Sequence, residues 1–78
     1  MLINEGEIMI KKDRQVLVFK NTELKDKIWA NTKKQDLLKE GYNVVKEMNG
    51  KKLIKVNDDG TYLWDKFNHV WNTIILER

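Results

Sequence analysis

The sequence predicts a small α+β domain, an antiparallel sheet of about four strands built as two hairpins, with helices on one face. Three observations carry this expectation. "EIMIKKDRQVLVFKN" holds two apolar runs on either side of a charged tip, a lysine-rich stretch with helix start and stop signals follows, and Asn49-Gly50 separates two further apolar runs. The expected order is β-β-α-(α)-β-β-α, in a single domain spanning residues 1–78.

The first hairpin alternates Ile8 and Ile10 with Met9 and Lys11, then Val16 and Val18 with Leu17 and Phe19, so both runs read as strands. The second run is apolar on both faces and is expected to be an inner strand. In "NTELKDKIWANTKKQDLLKEGYN", Asn21 or Thr22 is placed to cap a helix near 22–30 whose apolar face holds Leu24, Ile28 and Trp29. The periodicity then lapses. Thr32 with Gln35 reads as a capping box opening a second helix near 33–40, with Leu37 and Leu38 on its apolar face and Gly41 at its left-handed stop.

"YNVVKEMNGKKLIKVN" carries the strongest local signal. Asn49-Gly50 suits a two-residue turn with positive φ at both central positions, which would set Glu47 opposite Lys52 and Val45 opposite Ile54. "NDDG" (57–60) reads either as a turn with Gly60 left-handed and Thr61–Asp65 returning as a strand, or as the cap of a helix. From 63 to 75 the apolar residues Leu63, Trp64, Phe67, Val70, Trp71, Ile74 and Ile75 fit one helical face, so a C-terminal helix is expected. The alternative is a further β-hairpin turning at Phe67-Asn68, with Trp64 opposite Trp71. "LKDKIWANT" and "LWDKFNHVWNT" share Leu-x-Asp-Lys before a large apolar residue, which suggests two hairpin-then-helix units.

Composition limits the chemistry. The chain has no cysteine, no serine and a single histidine, His69, which removes Ser-His-Asp and Cys-His catalysis and zinc sites of the cysteine or multi-histidine kind. The four glycines are isolated, so there is neither a P-loop nor a dinucleotide fingerprint. "KVNDDG" fails as a calcium loop because Lys55 and Lys66 would occupy ligand positions. Paired acids such as Asp58 and Asp59 sit at polar turns, where nothing separates their pKa values as acid-base catalysis needs. No enzyme, cofactor or metal is expected.

Fifteen Lys and Arg against twelve Asp and Glu give a charge of +3, too mild to mark a nucleic-acid binder by itself. The absence of cysteine and of a signal-like or membrane-spanning stretch leads to an expectation of a cytoplasmic protein with no membrane partner and no evident small-molecule substrate. Lysine, asparagine and isoleucine make up 28 of 78 residues, which suggests a low-GC source such as a bacterium, plasmid or phage. The expected function is therefore binding. The first reading is a small protein-binding accessory or inhibitor of phage or mobile-element type, possibly a homodimer, using Trp64, Phe67, Trp71 and Ile75. The alternative is a nucleic-acid-binding module in which Lys11, Lys12, Arg14, Lys51 and Lys52 at two adjacent hairpin tips merge into one cationic edge.

Overall fold

The computed structural model describes residues 13–67 and 69–78, together with the backbone of residues 8–11. Among these residues the chain runs β1 (Ile8–Lys11), β2 (Arg14–Lys20), α1 (Leu24–Lys39), β3 (Asn43–Asn49), β4 (Lys52–Val56), β5 (Tyr62–Asp65) and β6 (Trp71–Glu77). One antiparallel sheet has the order β1-β2-β6-β3, and β4 and β5 form a separate two-stranded ribbon. The expected α+β class holds, but the sheet is not built from the two expected hairpins and the strand order differs. The helix count differs as well.

The middle of the sheet explains its layering. Register sets Val16 opposite Ile75 and Val18 opposite Thr73 on one face, and Leu17 opposite Ile74 on the other. Both strands thus carry apolar side chains on both faces, and each face requires a cover. The ribbon covers one: Val16, Val18, Leu53, Val56, Trp71 and Ile75 form a buried cluster, with Tyr62 and Trp64 packed against it. The helix covers the other, where Leu17, Phe19, Ala30, Leu37, Tyr42, Ile74 and Leu76 pack with Trp29 and Val44. The first hairpin forms as expected, with Lys11 paired to Arg14 and the left-handed Asp13 (φ 65°) in its turn. β2 is an inner strand, as its two apolar faces require.

One continuous helix replaces the two expected. Thr32 and Gln35, the supposed capping box, lie within it and are exposed. Its N-cap is Glu23, which makes no side-chain cap, while Asn21 is used elsewhere. The helix is held from inside by Ala30 and Leu37, with Trp29 half-buried. Leu24 and Ile28, expected to face the core, are 72% and 57% exposed. At 100° per residue they share the outward face with Asn31, Gln35 and Leu38, which is why the inward periodicity seems to lapse after Ile28. The stop is as expected. Gly41 has φ +93°, and the amides of Gly41 and Tyr42 donate to Leu38 O and Leu37 O, closing a Schellman motif whose apolar contact joins Tyr42 to Leu37.

Gly50 has the positive φ (+76°) expected of it but Asn49 does not, so the two-residue turn is not formed and β3 and β4 do not pair. Asn49-Gly50 instead lifts the chain out of the sheet, so that β3 continues along β6 and β4 crosses over the face. Glu47 lies opposite Ile74 rather than Lys52, and Val45 sits at a register shift between Val44 and Lys46 rather than opposite Ile54. Thr73, fully buried, anchors the crossing strand: its hydroxyl donates to Lys51 O and accepts from the Leu53 amide.

At "NDDG" the turn reading holds. Asn57 N donates to Thr61 O and Gly60 N to Asn57 O, with Gly60 at φ +86°. The C-terminal helix is not formed: residues 62–65 and 71–77 are strands. Nor do these two strands pair, since Trp64 lies opposite Leu53 and Trp71 opposite Lys20, so the expected Trp64–Trp71 pair is absent. The two "Leu-x-Asp-Lys" segments therefore adopt unrelated structures, one helical and one strand and loop. A run such as Trp71–Leu76, buried on both faces, lacks the alternation of a half-exposed strand and mimics a helical face when apolar neighbours are counted with it.

Candidate docking surface at one end of the sheet

Register brings three loops to one end of the molecule. Lys20 lies opposite Trp71, Asn49 opposite Asn72 and Lys52 opposite Asp65, so the loops 21–23, 50–51 and 66–70 emerge together. Asparagine side chains tie them. The Asn21 amide donates to both His69 O and Asn72 Oδ1, and Asn72 Oδ1 also accepts from the Gly50 amide, all at 3.0 Å. A backbone bond of 2.7 Å from Asn21 N to Val70 O completes the joint.

The loop 66–70 is thus pinned at its C-terminal side. At its start, the Asp65 carboxylate accepts from the Phe67 amide at 3.0 Å, a local turn that aspartate favours. Between these fixed points Phe67 stands 96% exposed, with Val70 also exposed. Leu24 opens the helix at the same end, and Leu63 leads toward it on the outward side of the ribbon; both are exposed. Single exposed apolar residues are ordinary on a protein surface, so what marks this end is that the elements carrying Phe67, Val70 and Leu24 converge there.

Lysines and acids share this end of the molecule. Lys66 precedes Phe67, and the Lys51-Lys52 pair follows Gly50, where a Cβ would come within 3.6 Å of His69 O. The ammonium groups of Lys20 and Lys52 lie 5.6 and 4.4 Å from the centre of the Trp71 ring. That ring is itself 4% exposed and forms the floor of this end. Asp65 and Glu23 are the acids in these loops.

The four sequence-predicted protein-binding residues divide accordingly. Trp71 and Ile75 are buried in the ribbon-side core, and Trp64 is half-buried against it with an edge-on contact to Tyr62. Phe67 alone of the four is displayed. The basic candidates divide as well. Arg14 lies at the far end, ion-paired to Glu77 at 2.9 Å and 6.0 Å from the Tyr62 ring, and Lys11 pairs with Arg14 there. The Lys11 side chain and all of Lys12 fall outside the described residues. Lys51 and Lys52 sit toward the opposite end, beside Thr73, about 13 Å away along β6 at ~3.3 Å per residue. The tips do not merge into one cationic edge, because β6, not β4, fills the place beside β3. Val70, Lys66, Lys20 and Leu24 are the residues that sequence reasoning left out of the site. Lys66 and Val70 belong to the same loop as Phe67, whereas Lys20 and Leu24 reach this end only through the pairing of β2 with β6.

No protein-family model matches the chain, and neither curated proteins nor solved structures give a match. Among the described residues no group of three or more His, Asp or Glu is placed to hold a metal ion, and no helix is long and apolar enough to cross a membrane.

Proposed function

We propose that this chain is a non-enzymatic, cytoplasmic protein-binding accessory or inhibitor that docks through the loop 66–70, with Phe67 as the anchor and Val70 and Leu24 beside it. The observation that carries this reading is the near-complete exposure of Phe67 on a loop fixed on both sides by hydrogen bonds. Burying so exposed a ring on association would remove a large apolar area from water, the pattern of an interface hot spot.

The test compares the tagged protein with its F67S variant, captured from cells of the source at ~50 and ~500 mM salt, conditions that separate screened charges from apolar burial. Sedimentation of the purified proteins reports self-association in parallel. A bound protein, or a dimer, retained by the parent at both salts and lost from F67S at unchanged thermal midpoint is the expected result. The reading fails if F67S matches the parent in every bound species and in oligomeric state.

A further inference from the structure

We infer that the outward face of α1 seats a partner helix with acidic flanks, on residues other than Phe67. A helix lying on a sheet ordinarily buries one apolar stripe and turns polar residues to water. α1 carries two stripes. Ala30, Leu37 and Trp29 pack toward the sheet, while Leu24, Ile28, Asn31, Gln35 and Leu38 are all exposed on the opposite side. These five follow one another at steps of four, three, four and three residues. That is the heptad spacing which keeps a seam facing a second helix, here over about two heptads or ~21 Å.

Charge decides among the occupants. With about 100° of turn per residue, Lys25, Lys27, Lys34 and Lys39 lie within about 100° of the centre of this stripe, on both its sides. The two acids of the helix, Asp26 and Asp36, lie about 120° or more from it. Glu23 and Glu40 are the caps, beyond its two ends. Lys25, Lys27 and Lys39 are exposed, and Lys34 reaches Glu47 at 4.0 Å. The four lysines hold the positions that flank a seam, where opposite charges on the facing helix select the partner. A second copy of this chain would set lysine against lysine. A lipid surface would strip water from the Asn31 and Gln35 amides at the middle of the stripe without replacing their hydrogen bonds. A facing helix can pair with them, as polar seam residues do when they fix register.

A displayed library of helix-forming peptides of about 21 residues, three heptads, provides the probe. It is panned on the parent protein, on I28K and on F67S. The parent and F67S are expected to enrich peptides with apolar residues at the same four-three spacing and Asp or Glu beside them. I28K is expected to lose that enrichment at an unchanged thermal midpoint, although its added positive charge would strengthen any indiscriminate attraction of acids. K25Q/K27Q/K39Q, which spares the lysine near Glu47, is expected to bind the best peptide on the order of fivefold more weakly at ~50 mM salt, with the difference vanishing at ~500 mM. Enriched peptides with neutral or basic flanks would overturn the acidic partner. Enrichment equal on parent and I28K, or none at all, would overturn the docking face on α1, and loss from F67S alone would place the docking at Phe67 instead. A dimer in sedimentation that I28K abolishes would replace the partner with a second copy of the chain. Binding to phosphatidylglycerol vesicles that I28K abolishes, with no peptide enriched, would replace it with an anionic membrane surface.

Discussion

Thr73 is a fully buried polar side chain, and its hydroxyl meets both needs of the strand that crosses above it, giving a proton to Lys51 O and taking one from the Leu53 amide. Replacing it with valine keeps the shape and leaves a buried amide and carbonyl without partners. T73V is expected to cost about 1–3 kcal/mol, the penalty of buried unsatisfied groups, measured by urea unfolding. A cost below about 0.5 kcal/mol, the usual range of surface changes, would mean that the crossing strand does not depend on this bond. Asp59 shows the same logic in water. Thr61 donates to its carboxylate through both hydroxyl (2.6 Å) and amide (3.0 Å), and these bonds, the hydroxyl first, hold its pKa below the ordinary 3.8. A folded pKa lowered in this way adds stability above the ordinary value and loses it as pH falls through the folded one. The tip of the β4–β5 hairpin is therefore expected to be unchanged down to about pH 4 and to loosen only below it, followed by the Thr61 amide signal in NMR. Loosening that begins near neutral pH would refute the assignment.

At the scale of elements, α1 turns its two most prominent apolar residues outward. Ile28→Lys is expected to change stability by less than about 0.5 kcal/mol, as exposed substitutions do, whereas a core position would cost several times more. Thermal or urea unfolding of this variant reads the orientation of the helix directly. The glycine at position 50 belongs to the same scale, because it is where the chain leaves the sheet. Its φ of +76° disfavours any side chain, and a β-branched one most. G50V is expected to cost at least about 1–2 kcal/mol in unfolding experiments, the strain of a left-handed residue. An unchanged midpoint would show that this backbone conformation is not required.

For the whole molecule, the ribbon, sheet and helix make three layers around two thin cores, and Trp71 is the largest side chain sealing the ribbon side. W71A is expected to cost about 3–5 kcal/mol, as large-to-small core changes do, which approaches the total stability of so small a domain. W64A removes a half-buried ring from the same cluster and should cost less. Iodide quenching of single-tryptophan variants should rank Trp64 as more accessible than Trp71. The reverse order would mean that the ribbon does not sit on the sheet as described.

What the residues alone determined is local. The left-handed stop at Gly41, the positive φ at Gly50, the charged turn before Arg14 and the inner position of Val16–Phe19 follow from conformational preferences and side-chain alternation within a few residues, and each is seen, whereas the turn at Gly60 was one of two local readings that only the structure separated. Only the tertiary structure decided who pairs with whom. A turn residue sets φ at one position, but whether the next strand continues the sheet or crosses it depends on which arrangement covers every apolar face. With Trp71–Leu76 apolar on both sides, the lowest free energy places that strand in the middle of the sheet, the helix on one face and the β4–β5 ribbon on the other. A β3–β4 hairpin lying in the sheet would have left the ribbon face wet. The candidate site was only partly legible, since Phe67 and its neighbour Lys66 stand together in the sequence, but the loops 21–23, 50–51 and 66–70 meet at one end only because β6 pairs with both β2 and β3.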